Sequence, residues 1–352
     1  MGLFDETLGY IRPVSKAVEP AVRRHLDNLT KPPGSLGRLE ELCIRYCLAR
    51  NTDRPNIRKK TIVTFAADHG VTEEGVSAYP SEVTPQMVLN MLSGGAAINV
   101  LARHAGATLK LVDIGVDYEF GDADGLIDMK IMRGTHNIAK GRAMSKEEAL
   151  LAIEAGISIA YQTIDEGADL LGTGDMGIGN TTASAALVCA YLHLQPEEVT
   201  GRGTGIDETT LRRKTDVIHR ALKVNSEYLT DPVDTLSALG GLEIAGICGL
   251  ILGASSRGIP TVIDGFISNA AALAAVKICP GVKDYLFFSH KSTEKGSDAV
   301  FSFFDEKPIL DLEMRLGEGT GAALAMCIID AAIKIYNEMA TFDSAGVSQS
   351  TL

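Results

Sequence analysis

From residue 60 onward, short apolar runs alternate with longer stretches whose apolar residues recur at helical spacing. The runs are Thr61 to Ala67, Leu109 to Ile114, Asp169 to Gly172, Pro260 to Ile263 and Tyr285 to Phe288, each stopping at a polar or glycine-rich segment. Unbroken apolar runs of this length suit strands buried on both faces, as in a parallel sheet. The intervening stretches predict helices over 84–104, 145–166, 181–193, 207–229, 241–255 and 267–278. Strands alternating with helices predict an α/β fold with a doubly wound, mostly parallel sheet. Residues 13–50 read as helical around a turn at Lys31-Pro32-Pro33-Gly34-Ser35 that caps a second helix from Leu36, and a last helix over 318–340 returns toward them.

In open α/β sheets ligands bind beyond the carboxyl ends of the strands. The strand endings here are Asp68-His69-Gly70, Asp113-Ile114-Gly115, Gly172-Thr173-Gly174-Asp175, Asp264-Gly265-Phe266 and Ser289-His290-Lys291-Ser292. They predict a concave rim of small, polar and acidic groups.

Composition narrows what that rim can bind. The chain has 352 residues, 45% hydrophobic and 22% charged, with 36 glycines, enough for one large core plus a smaller unit. Its formal net charge of -12 opposes broad contact with nucleic acid or an anionic membrane surface. Local backbone amides with one or two cations can still hold a phosphate. The six cysteines contain no CxxC pair, which fits a reducing cytoplasm, and Cys43 and Cys47 read as apolar packing on one helix face. The N-terminus lacks the pattern of a signal peptide. The apolar stretches 239–255 and 320–336 carry Glu243, and Asp330 and Lys334, so they read as buried helices rather than membrane spans.

Two glycine-rich segments are candidates for phosphate binding. Gly172-Thr-Gly-Asp-Met-Gly177 has the GxGxxG spacing of a dinucleotide loop, but no strand with a ribose-binding acid follows about 20 residues on. From Gly174 the same stretch has P-loop spacing, yet Asn180 stands where the lysine belongs. What survives is a set of glycine amides before a helix starting near Thr181, able to turn N–H groups and a helix dipole toward a monophosphate. The other reading is a tight turn that only packs strand on helix. The second segment, Gly201-Arg-Gly-Thr-Gly205, precedes Arg212, Arg213 and Lys214. It reads either as a flexible loop before a solvated basic turn or as cations reaching back to a phosphate.

The chain resembles the nicotinate-nucleotide:dimethylbenzimidazole phosphoribosyltransferases of cobalamin lower-ligand assembly. The resemblance runs through Lys31-Pro-Pro-Gly-Ser-Leu-Gly-Arg38, Ala67-Asp-His-Gly-Val71, Gly75-Val-Ser-Ala-Tyr-Pro80, Val83-Thr-Pro-Gln-Met-Val88, Met176-Gly-Ile-Gly-Asn-Thr-Thr182, Ile263-Asp-Gly-Phe-Ile267 and Arg315-Leu-Gly-Glu-Gly-Thr-Gly321. It implies a Rossmann-like catalytic domain over 59–309, a small helical domain from 1–58 and 310–352, a homodimer, and no metal or redox cofactor. It implies nicotinate mononucleotide and a benzimidazole-type base as substrates. Phosphate and ribose contacts fall on Gly177, Asn180, Thr181, Gly203, Lys214, Gly265 and Ser292, and the acceptor slot on Ser81, Gln86, Met87 and Leu316. Glu318 is the implied general base. Asp175 stands where the family usually has glutamate, one methylene longer.

The implied chemistry agrees with the residues. An azole that attacks the anomeric carbon must lose its N–H proton, so a carboxylate with a raised pKa is a natural base. Glu318 sits between Gly317 and Gly319; its alternative is a solvated glutamate at a helix start. Asp175 is expected either to oppose positive charge on the sugar or to cap the helix near Thr181. Asp68, His69 and His290 are expected as hydrogen-bonding rim residues rather than zinc ligands. The acceptor stays open among 5,6-dimethylbenzimidazole, other benzimidazoles, purines and phenols.

Overall fold

The computed structural model describes residues 2–203 and 205–348; Met1, Thr204 and the end of the expected small domain at 349–352 lie outside the described residues. Six strands form one sheet: β1 (Lys60–Ala67), β2 (Ala107–Gly115), β3 (Leu126–Asp128), β4 (Leu170–Met176), β5 (Thr261–Ile263) and β6 (Leu286–Phe288). Their order is β3-β2-β1-β4-β5-β6, and all five neighbouring pairs are parallel. This is the doubly wound order, whose direction of winding reverses between β1 and β4 and opens a crevice there.

The strands form where expected because helices cover both faces. β1 is buried from Thr61 to Ala67. The short strand β3 went unpredicted: it has three residues, none of them buried, so it leaves no apolar run to read. The predicted helix over 84–104 is two helices, Val83–Leu92 and Ala97–Ala105, separated at Gly94, whose φ of 79° ends the first. The helix expected from Leu36 begins at Arg38, after Gly37.

One face of the sheet packs under Lys146–Asp165 and Leu242–Ser256, and glycines let these two helices touch along their backbones. A Cβ on Gly249 would lie 1.9 Å from the Ile153 carbonyl oxygen, and one on Gly156 would lie 2.0 Å from that of Gly246. The opposite face shares a continuous core with the chain ends. Leu26, Leu42, Cys43, Tyr46 and Cys47 from the N-terminal helices and Met326, Ile329 and Tyr336 from Thr320–Glu338 pack with Ile62, Leu170 and Phe287 of the sheet. The ends are also tied directly, by His25 Nε2 to the Tyr336 carbonyl at 2.8 Å and by Thr30 N–H donating to Ala340 O at 3.0 Å. Thr320–Glu338 is long and apolar enough to cross a bilayer, but its apolar residues are absorbed by this core.

Candidate active site

At the β1/β4 crevice lies a cavity of about 520 Å³. Its walls include the apolar side chains of Val76, Tyr79, Val83, Met87 and Leu316, the segment Asp175 to Thr181 with Gly203, and the side chains of Glu318 and Arg315. Of the expected residues, Glu318, Asp175, Gly177, Asn180, Thr181, Gly203, Met87 and Leu316 line it together.

Glu318 is 4% exposed. Burial holds its pKa above the ordinary carboxylate value, against one backbone donor, the Ile98 N–H at 3.3 Å from Oε2. It is therefore not the solvated glutamate of the alternative reading. Its backbone is left-handed, with φ of 64°, between Gly317 at 83° and Gly319 at 99°. A residue bearing a side chain costs about 1–3 kcal/mol in such a conformation and keeps it only where its surroundings insist. Glycine is needed on either side: a Cβ on Gly317 would crowd the Asp175 carboxylate at 3.0 Å, and one on Gly319 would meet Ile62 at 2.7 Å.

Asp175 ends β4 and is buried. Burial first, then the charges of Asp264 and Glu243, push its pKa well above the ordinary value, while Asn180 Nδ2 donates to Oδ2 at 3.0 Å. Its carboxyl does not cap the helix Asn180–Leu192, whose N-cap is Gly179.

Lys214 is not itself on the lining but lies behind Thr181 and Gly203: it is 1% exposed, and its Nζ donates to Thr181 Oγ1 at 2.8 Å and to Gly201 O at 3.4 Å. Burial lowers its pKa to about 8, opposed by Glu294. Lys214 thus reaches back to the glycine loop instead of pointing into solvent. Gly203 must be bare, since a Cβ there would lie 2.9 Å from Thr181 Oγ1. Arg315 Nη1 donates to Gly203 O at 2.7 Å and fastens this loop to the segment that carries Glu318.

Gly265 and Ser292 lie beyond the lining, Gly265 as the N-cap of Phe266–Ile278 and Ser292 accepting the Glu294 N–H at 3.3 Å. Ser81, half-buried, and Gln86, exposed, also lie off the lining, while Val83 and Met87, one turn apart, face the cavity.

Beneath the lining, the pairing of His69 with Glu243 escaped sequence reasoning. His69 Nε2 and Glu243 Oε1 are 2.7 Å apart and both side chains are buried. Burial works against the imidazolium, but the Glu243 carboxylate keeps the His69 pKa above its ordinary value. Gly177 lies against Ala67 and His69: a Cβ there would come 2.4 Å from the Ala67 carbonyl oxygen and 3.4 Å from the imidazole. The signal was available in Glu243, a lone charge in an apolar run. His290 is likewise buried, its pKa lowered by burial to about 4, with Nδ1 3.0 Å from Ser289 Oγ. Both histidines were expected on a rim and lie beneath it. Among the described residues no three His, Cys, Asp or Glu side chains converge as a metal centre requires. Ser77, Tyr79, Ile178, Ile267 and Arg315 also line the cavity and were given no role beforehand.

The sequence profile of a phosphoribosyltransferase family matches residues 11–347. A nicotinate-nucleotide–dimethylbenzimidazole phosphoribosyltransferase of Prosthecochloris aestuarii is 56% identical over 345 residues, covering 98% of each chain. One of Chlorobium chlorochromatii is 57% identical over 342 residues, covering 97% of each. The crystal structure of a nicotinate-nucleotide–dimethylbenzimidazole phosphoribosyltransferase from Thermus thermophilus superposes with a TM-score of 0.90 at 46% identity, over 95% of this chain and 99% of that one.

Proposed function

The chain belongs to the nicotinate-nucleotide–dimethylbenzimidazole phosphoribosyltransferase family, and from that premise we propose how its cavity works. The protein is a pentosyltransferase of cobalamin biosynthesis that transfers the 5-phosphoribosyl group of nicotinate mononucleotide to 5,6-dimethylbenzimidazole or a related base. The products are alpha-ribazole 5'-phosphate and nicotinate. The observation that carries the mechanism is Glu318, a buried carboxylate of raised pKa in a cavity lined both by apolar side chains and by a glycine-rich loop.

In this reading Lys214, Thr181 and the amides around Gly177 and Gly203 take the ribose phosphate, with Asn180, Gly265 and Ser292 supporting that end. Met87 and Leu316, with Ser81 and Gln86 at the edge, face the acceptor. Glu318 accepts the azole N–H proton as the ring nitrogen bonds to the anomeric carbon. The bond from that carbon to nicotinate breaks, and its electron pair stays on the pyridine nitrogen. Asp175, at the end of β4 beside the Glu318 turn, faces the sugar, and its oxygens stabilise the positive charge that develops there. The phosphate, remote from the bond that breaks, supplies binding energy that orients both substrates.

The same premise supports a homodimer in the cytoplasm, with no membrane span, no nucleic-acid partner, and a small helical domain of 1–58 and 310–352 beside a catalytic domain of 59–309. The test of the reaction is a chromatographic assay of purified protein with nicotinate mononucleotide and a panel of azoles, purines and phenols. Free nicotinate with a new ribotide is expected from a benzimidazole; no nicotinate with any acceptor would overturn the proposal.

A further inference from the structure

Asp264 does not line the cavity, yet it is fully buried and both its carboxylate oxygens are spent on the turn that carries Glu318. The Gly319 N–H donates to Oδ2 at 3.0 Å and the Ala322 N–H to Oδ1 at 2.9 Å. These are the N-cap and third amides of Thr320–Glu338, the two donors that a local capping box would satisfy with two separate side chains. Here one remote carboxylate takes both.

Asp264 is itself immobilised. Its N–H donates to Thr173 Oγ1 at 3.0 Å on β4, and its carbonyl accepts from Ser289 Oγ at 2.7 Å, just after β6. Other bonds converge on Glu318: its N–H donates to Asp175 O at 3.2 Å, and its carbonyl accepts from Thr64 Oγ1 on β1 at 2.8 Å. The left-handed turn is therefore fixed against β1, β4 and β5 at once. A neutral serine or asparagine would cap a helix without burying a carboxylate. The bidentate grip has a use if the direction of the Glu318 side chain is what must be fixed.

We propose that Asp264, with Thr64, is a positioning residue for the transfer reaction, holding the Gly317–Gly319 turn so that the Glu318 carboxylate stays aimed at the acceptor nitrogen. The inference rests on Glu318 being the base.

The test measures the single-turnover rate, and KM for nicotinate mononucleotide, in the full chain, in Asp264→Asn, in Glu318→Gln and in the double variant, with urea unfolding as a control of folding. Asparagine keeps the shape but turns one acceptor into an N–H₂ group facing a backbone N–H. The expected result is a rate about 10- to 100-fold lower with KM within about threefold. Adding Asp264→Asn to Glu318→Gln should cost nothing more, because Asp264 acts through the base. An unchanged rate in Asp264→Asn, a loss confined to KM, or losses that multiply in the double variant would overturn the inference. Should Asp264→Asn fail to fold, Thr64→Val should slow the reaction and Thr64→Ser restore it; equal rates in those two would overturn it as well. A full rate in Glu318→Gln would instead remove the base assignment, and this inference with it.

Discussion

The glycine wall of the cavity and the lysine behind it come from groups that are close in the chain: Gly177 to Thr181 open one helix, and Gly201 and Gly203 precede the helix that carries Lys214. Around Glu318 the wall is assembled from groups far apart. Thr64, Ile98, Asp175 and Asp264 all bond the Glu318–Gly319 segment, from more than 50 residues away in each case. The phosphate wall can be rebuilt from a local motif, whereas the base wall exists only when several strands have come together. Binding should therefore respond mainly to substitutions in the first and chemistry to substitutions in the second.

The largest expected effect comes from Glu318→Gln. Loss of a positioned general base lowers kcat by about 10²- to 10⁴-fold. KM for nicotinate mononucleotide should stay near its starting value because the phosphate wall is untouched. Steady-state kinetics across both substrates checks this, and a rise in KM with kcat preserved would break the division between the walls.

Next is Lys214→Met, which keeps an unbranched chain but removes the cation. A hydrogen bond to a charged group contributes about 1.5–3 kcal/mol, so KM for nicotinate mononucleotide should rise by about 10- to 150-fold. Turnover at saturation should change little. A drop in kcat comparable to that of Glu318→Gln would show that the two walls do not act separately.

Gly319→Ala tests the base wall through stability. The alanine would have to adopt φ of 99° with its Cβ 2.7 Å from Ile62. Left-handed strain and overpacking together should cost about 1–3 kcal/mol, read as a lower midpoint in urea with an unchanged slope. Wild-type stability would mean that the turn has room to relax and that the base wall is less constrained than its hydrogen bonds indicate.

The same contrast explains what the sequence reveals. The sheet was legible because strands buried on both faces write unbroken apolar runs, and the glycine loop was legible because its spacing is local. Glu318 stood out only through resemblance; by itself it could be a solvated acid beside a helix. Asp264 and Thr64 give no local sign of acting on residue 318, since the register of β1, β4 and β5 brings them there. Glu243 and His69 are 174 positions apart, and only the packing of Leu242–Ser256 under β1 joins them. Gln86 and Ser81 were assigned on their motif, and helix periodicity turns Val83 and Met87 inward instead.

The smallest expected effect concerns the proton on Lys214, and its sign follows from burial. In the free enzyme the pKa is lowered to about 8, so below that pH the ammonium is present to meet a phosphate and above it the neutral amine dominates. Bound phosphate restores the proton, because its negative charge favours the cation. The pH dependence should therefore appear in kcat/KM for nicotinate mononucleotide, which reports the free enzyme, and not in kcat. With a pKa of about 8 and one proton, the alkaline limb should fall by about fivefold between pH 8 and pH 9 and approach tenfold per pH step beyond that. Lys214→Met should have no such limb, having nothing to titrate. If the limb persisted in that variant, it would belong to another group, and the phosphate wall would not depend on this cation.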